Sequence, residues 1–432
     1  MTRLAAEPWT NWAGDQRCAP ERLARPGSER ELAELVRRAG RVRVAGSGHS
    51  FTDITCTDGL MLDLSAMSRL VAVDGPLVTV EAGITLHELG EQLAGRGLAM
   101  ENQGDIDLQT LAGAISTATH GTGARFRNLS AQVAGLRMVS GTGELVELRE
   151  GDDDLRAARV SLGALGAITQ VTLRCVPSFA IHRIDEPRPL ADTLERFDEL
   201  AGAHDHFELF AFPYTRRAVV LLSERGQFEP RPRNPRREYV REVLLENRLL
   251  AAAFGLGRRA PALIPALNRG LVRLAGREER TDASHRVYAN RRHVRFTEME
   301  YALPRDAGLE AFRRVMDTIE RRRLRVGFPI ELRVSAGDDA MLSTAHGRDT
   351  AYVAVHQYRG MEFEAYFRAV ERIMEDYGGR PHWGKRHYRS AADLRGLYPE
   401  WDRFQRVRAR LDPDGRFQND YVERVLGPSG RP

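Results

Sequence analysis

Lysine is almost absent from this 432-residue chain: of its 64 basic residues only Lys385 is not an arginine. A coding bias toward arginine accounts for the others. Arginine cannot stand in where a compact ammonium, or one able to lose its proton, is required, so Lys385 is a candidate site residue before any motif is read. Cysteine is scarce as well. Cys18, Cys56 and Cys175 are odd in number and far apart, which excludes a disulfide framework and a cysteine-based zinc site. No metal is called for, and a reducing, cytoplasmic setting fits. No uncharged run of 18 apolar residues occurs, and Met1 to Trp9 has no apolar signal core. The sequence therefore reads as soluble, with at most a peripheral membrane contact. A large excess of positive charge is also missing, since 60 acidic residues offset the 64 basic ones. The densest basic stretch, Arg231 to Arg248, lacks aromatics at stacking intervals. An arginine-rich nucleic-acid-binding protein, the non-enzyme alternative, is disfavoured.

What is present is globular: 42% hydrophobic and 29% charged residues over a length that suits two or three domains. Ser28-Glu-Arg-Glu31 and Thr85-Leu-His-Glu88 are capping boxes, each opening an amphipathic helix. Strands are expected at 41–45, 60–64, 70–73, 78–82 and 168–175, with a hairpin around Gly141-Thr-Gly143. Residues 104–123 are rich in Gly, Ala, Ser and Thr, which lets backbone approach another surface closely. This alternation predicts an α+β domain of about 175 residues. The stretch 179–285 gives little periodicity; Ala260 to Leu267 reads as a solvated helical excursion or a peripheral membrane contact. From 294 to 377 the pattern is β-α-β-β-α, most of a ferredoxin-like unit.

Candidate site residues emerge from two patterns. In Phe328-Pro-Ile-Glu-Leu-Arg-Val-Ser335, Glu331, Arg333 and Ser335 share one face of a strand; they form a surface pair or a polar clamp over a ligand. The next strand puts Tyr352, His356 and Tyr358 on one face. In Gly46-Ser-Gly-His-Ser50, flanking glycines let His49 reach a ligand lying against the backbone, and successive N–H groups can cradle an anion. The loop lacks the lysine of a P-loop and the spacing of a dinucleotide fingerprint.

Together with Thr79-Val-Glu-Ala-Gly83, Ala118-Thr-His-Gly-Thr-Gly123, Ser161-Leu-Gly-Ala-Leu-Gly166, Pro329-Ile-Glu-Leu-Arg333 and Arg380-Pro-His-Trp-Gly-Lys385, that loop makes the chain resemble, in order and over nearly its whole length, the sugar-lactone and alditol oxidases of the vanillyl-alcohol-oxidase superfamily. The likeness is nearest to the L-gulono-1,4-lactone and D-arabinono-1,4-lactone oxidoreductases. The resemblance implies an FAD-binding domain of the PCMH type over 1–178, a ferredoxin-like-derived cap over 179–379 and a C-terminal segment, 380–432, that returns to the flavin. It implies FAD joined covalently through His49, with Gly46, Ser47, Gly48 and Ser50 along the pyrophosphate. Thr110, Gly113, Ser116, Gly121, Gly166 and Ile168 would hold the rest of the cofactor.

By the same resemblance, Glu331 binds or polarises the reacting hydroxyl, Arg333 stabilises charge on the reduced flavin, and Lys385 sits over the reacting region. Asp105, His356 and Tyr358 face the substrate. Two departures from the alditol oxidases, Asp105 in place of a serine and Gln357-Tyr358 after His356, favour a lactone over an open-chain polyol; alditol oxidation is the alternative. Gly104 falls where a plant relative has an alanine that shields the flavin from oxygen. Oxygen and a cytochrome-like protein are both open as electron acceptors, and the product from a lactone is an ascorbate-type enediol.

Overall fold

A computed structural model describes residues 8–231, 247–289 and 294–429; most of the basic run 231–248 lies outside them. The capping signals act where the sequence puts them, with one difference. Thr85 and Glu88 form a reciprocal box at the start of Leu86–Ala94. At Glu29–Arg38, Ser28 accepts from the Glu31 N–H, but the Glu31 carboxylate reaches the N–H of Gly27 rather than that of the cap residue.

Two large hydrophobic cores organise most of the described residues. The first joins Val78, Val80, Leu89, Leu93, Leu111 and Ile115 to the strands Val133–Ser140 and Gly166–Arg174. It also takes in Trp383, Trp401, Phe404 and Tyr421 from the C-terminal segment, and Met341 and Leu342 from the loop after Ile330–Ser335. That loop leaves the expected cap span and packs into the N-terminal unit, where Leu342 O accepts from Trp383 Nε1 at 2.7 Å.

The second core lies under an eight-stranded sheet, between it and the helices Arg305–Arg321 and Glu364–Glu375. The strands run in the order Glu278–Ala283, Ala180–Pro189, Arg217–Gly226, His206–Ala211, Ile330–Ser335, Thr350–Tyr358, Phe296–Pro304 and Arg380–Pro381, with antiparallel pairings. The last four complete the ferredoxin-like β-α-β-β-α-β unit, the closing strand being only two residues long. The first four were not expected from the sequence. In Ala180–Pro189 the half-buried positions carry charged neighbours two residues apart, Arg183 with Asp185 and Arg188 with Glu186, which blur an apolar alternation.

One property of this sheet positions the site. Leu209, Met299, Tyr301, Ile330, Leu332, Val353 and Val355 point into the core. The period of two then turns Glu208, Glu298, Glu300, Glu331, Arg333 and His356 to the opposite face. Such a face is usually solvated. Here it is enclosed: Glu298, Glu300, Glu331, Arg333 and His356 are all buried, because segments of the N-terminal unit cover them. Thr122 Oγ1 donates to Phe207 O at 2.6 Å, and His120 Nε2 lies 2.8 Å from Glu300 Oε1.

Candidate active site

The strand Val42–Ala45 runs into the loop 46–50, which forms one wall of a cleft. Gly46, Ser47, Gly48, His49, Ser50, Thr110, Gly113, Ser116, Gly166 and Ile168 all line it, so ten of the eleven expected cofactor residues come together. Gly46 has no room for a side chain: a Cβ there would stand 2.5 Å from Thr110 Oγ1. Gly48 has φ +72°, a left-handed conformation that disfavours side-chain-bearing residues. The N-terminal hairpin clasps this loop. Trp12 N donates to Gly48 O at 2.8 Å, Asn11 Nδ2 to Ser50 O at 2.9 Å, and Gln16 Nε2 to Phe51 O at 3.2 Å. His49 stacks on Trp12 with centroids 5.7 Å apart. Burial pulls its pKa down to about 4, so the imidazole is neutral at pH 7.

Gly121 is the exception. It does not line the cleft; a Cβ on it would lie 2.4 Å from both Asn102 Oδ1 and Gln103 O. Its small size serves close packing of the 102–103 and 120–121 backbones.

A cleft walled by backbone and small polar groups suits a long, flat, phosphate-bearing cofactor. Its chemical donors are main-chain groups, hydroxyls and one imidazole, and the missing Cβ atoms leave the cradle open. FAD fits such a donor set.

The enclosed sheet face supplies charge. Arg333 Nη2 donates to Asp105 Oδ2 at 2.5 Å, while its Nε touches Glu331 Oε1. Burial works against the guanidinium charge, but Asp105, Glu208 and Glu331 outweigh it and hold the pKa well above the usual arginine value. His356 Nε2 lies 3.2 Å from Glu298 Oε1 and 4.0 Å from Glu331 Oε2. Lys385 Nζ donates to Glu298 Oε1 at 2.6 Å and to Glu300 Oε2 at 2.9 Å. Burial opposes the ammonium charge, yet these two carboxylates raise its pKa. In turn Lys385, together with His356 at Glu298 and His120 at Glu300, outweighs the burial of the two carboxylates and holds both well below the usual carboxylate range.

A continuous polar chain therefore runs from His120 through Glu300, Lys385, Glu298, His356, Glu331 and Arg333 to Asp105. His120, Glu300 and His382 bring metal-ligand-type atoms within 4.8 Å of one another, but the Lys385 ammonium already supplies positive charge to that carboxylate. The solitary lysine thus has a geometric reason. One compact ammonium bridges two carboxylates that leave the same strand two residues apart, a task for which a planar guanidinium is less suited.

An aromatic wall borders this charge. Phe296 packs on Trp12, Phe51 and Phe328 at 5.5, 5.6 and 5.5 Å, and on His356 at 5.2 Å. Tyr358 stands at its outer end, 5.8 Å from Phe254, half-buried and away from Glu331. Gln357, expected to alter the substrate face, turns to the other side, where its Nε2 donates to Arg325 O and Glu362 O at 3.1 Å. The sequence reading also missed Glu298, Glu300 and Glu208. A signal existed: in Phe296-Thr-Glu-Met-Glu-Tyr301 two glutamates alternate with core residues, the same pattern that drew attention to Glu331 and Arg333.

Residues 171–425 match the model of the D-arabinono-1,4-lactone oxidase family, and residues 20–149 match an FAD binding domain. The chain is 56% identical to L-gulono-1,4-lactone dehydrogenase of Mycobacterium tuberculosis over 97% of its length and 99% of that protein's. The chain belongs to the D-arabinono-1,4-lactone oxidase family. Its relatives include L-gulonolactone oxidase of Bos taurus, 33% identical over 96% of this chain and 97% of that one, and alditol oxidase of a Streptomyces species, 30% identical over 96% and 98%. Among solved structures, cholesterol oxidase from B. sterolicum superposes with a TM-score of 0.83 at 18% identity over 97% of this chain and 96% of that one, a likeness of fold alone. The family makes the chain an FAD-linked oxidoreductase with the PCMH-type architecture that its motifs resemble. Among the described residues no helix is long and apolar enough to cross a membrane.

Proposed function

We propose that this member of the family oxidises an aldono-1,4-lactone of the L-gulono or D-arabinono type at a secondary hydroxyl, with FAD attached covalently to His49. The observation that carries the reading is the Asp105–Arg333–Glu331 cluster, in which Arg333 and Glu331 are buried, on a sheet face enclosed by the FAD-binding unit. FAD, when bound, supplies a hydride acceptor. The chain's own groups do the rest.

Glu331 accepts a hydrogen bond from the reacting hydroxyl and polarises it. Arg333, fixed by Asp105, offers preorganised positive charge where negative charge develops. Lys385 holds Glu298 and Glu300 ionised and keeps His356 and Glu331 oriented. The neutral imidazole of His49 is in the protonation state that covalent attachment through a ring nitrogen requires. In this reading residues 1–178 form the cofactor unit, 179–379 the substrate cap, and 380–432 the segment that returns Lys385 to the site. Oxygen or a cytochrome-like protein reoxidises the flavin; a Cβ at Gly104 would lie 3.0 Å from His120 O, so an alanine there would narrow the space.

Visible spectra before and after acid precipitation test the cofactor part. Yellow colour should stay with the pellet of the wild-type protein, and His49→Ala should release it while still binding FAD reversibly; a yellow His49→Ala pellet contradicts the attachment. The 30% identity to an alditol oxidase keeps polyol oxidation as the second reading. Turnover of xylitol or sorbitol with no aldonolactone turned over would decide for it.

A further inference from the structure

The strand His206–Ala211 contributes Glu208, which neither the motifs nor the roles above use. Phe207, Leu209 and Ala211 enter the core, so Glu208 faces the same way as Arg333, next to the Leu209 and Leu332 pair in register. Its Oε2 lies 3.5 Å from Arg333 Nη2, yet that atom is buried and makes no hydrogen bond within the described residues. The side chain keeps 13% exposure, against 3% for Glu331, so it borders open space.

Three carboxylates, Asp105, Glu208 and Glu331, surround one guanidinium at this point. A second cation that acts on Glu208, Arg183, is already engaged by Asp185 at 2.6 Å. His206, on the same strand, is held by Thr122 O and Tyr288, and burial keeps it neutral with a pKa of about 4. If all three carboxylates were ionised, the cluster would carry two uncompensated negative charges out of water, which is costly. Arg333 grips Asp105 and Glu331 at close range and leaves Glu208 at the longest distance. Burial drives the Glu208 pKa up to about 8, with Asp105 and Glu331 adding to the rise and Arg333 and Arg183 opposing it. The proton therefore resides on Glu208.

Resting on the lactone reading, we propose that Glu208 is a specificity-determining residue: it meets substrate as a neutral carboxylic acid and donates a hydrogen bond to the ring carbonyl of the 1,4-lactone. The carbonyl only accepts, so it complements a protonated acid. A ring-opened aldonate brings a further negative charge to a cluster that is already net negative and is turned away. An open-chain polyol has no carbonyl at that position, so it depends less on Glu208.

The test compares Glu208→Gln and Glu208→Leu in the flavin-loaded enzyme, using initial rates on freshly dissolved L-gulono-1,4-lactone and on xylitol. Gln keeps a donor and the shape; its kcat/KM for the lactone should stay within about threefold of wild type. Leu removes the donor and should lower it about 10- to 100-fold, the effect of one lost buried hydrogen bond, with a smaller effect on any xylitol turnover. Wild-type kcat/KM for the lactone should fall as pH rises through about 8, and that limb should vanish in Glu208→Gln. A protonated-carboxyl band in the infrared spectrum should be lost in the same variant. A Leu variant equal to wild type, or a Gln variant as impaired as Leu, would overturn the role of Glu208 alone. Wild-type enzyme that turns over no aldonolactone would overturn the reading beneath it.

Discussion

In the cleft around Gly46 the working surface is backbone; on the face of the eight-stranded sheet it is side chain. The cleft is made by leaving atoms out, and its loop is fixed by hydrogen bonds from the hairpin at Asn11 to Gln16. The sheet face is made by forcing charges together, and distant parts of the chain supply several of the opposite charges, as Lys385 does for Glu298 and Glu300 and Asp105 does for Arg333. In the proposed reading the first arrangement recognises a cofactor common to many substrates, while the second distinguishes one substrate from another. The two should therefore fail differently. Damage to the cleft should lower flavin content, and damage to the sheet face should lower turnover per bound flavin.

The largest effect is expected from Arg333→Ala, which leaves Asp105, Glu208 and Glu331 facing one another without a cation. Turnover per flavin should drop about 10²- to 10³-fold, with flavin content near wild type by absorbance. Loss of flavin in step with turnover would erase the distinction between the regions. Next comes Lys385→Met, which strands two buried carboxylates and should cost about 3–5 kcal/mol in denaturant unfolding. Lys385→Arg keeps the charge but not the compact bridge and should also lower turnover; wild-type rates there would return the single lysine to coincidence.

Gly48→Ala tests the other region. A side chain at φ +72° costs about 1–2 kcal/mol, which should show as weaker flavin retention with turnover per bound flavin unchanged.

The smallest effect is a difference in pH dependence. The folded pKa values of Glu298 and Glu300 lie below their ordinary 4.5, so their contribution to stability is present above that value and lost only as pH falls below it. Lys385 is raised above its ordinary 10.5, so its contribution persists up to that value and is lost only above it. His49 is lowered from 6.5 to about 4, so the flavin-free chain binds a proton more readily when unfolded and loses stability as pH falls from 6.5 toward 4. Urea midpoints of flavin-free protein at pH 7 and pH 5 should therefore move for wild type and move less for His49→Gln.

The two regions also differ in how far the sequence discloses them. Runs of small residues around Gly46 and from 104 to 123 mark a close-approach surface locally, and ten of the expected cleft residues line it; Gly121 shares the composition but packs elsewhere. On the sheet, alternation shows which residues share a face and so points to Glu331 and Arg333. It does not show that another part of the chain buries that face, and it leaves Glu208, Glu298 and Glu300 reading as ordinary solvated carboxylates. Their meaning depends on partners such as Arg333 and Lys385 that lie more than 80 residues away in sequence. The strand at 180–189 was hidden for a related reason: charged residues on its half-buried positions mask the apolar period.

The most direct test of the account is anaerobic mixing of the flavin-loaded wild-type enzyme with L-gulono-1,4-lactone, D-arabinono-1,4-lactone and xylitol in turn, following the visible absorbance of the oxidised flavin. The account predicts rapid bleaching by at least one lactone and slow or no bleaching by xylitol. Flavin that stays oxidised with both lactones and is bleached by xylitol would contradict it.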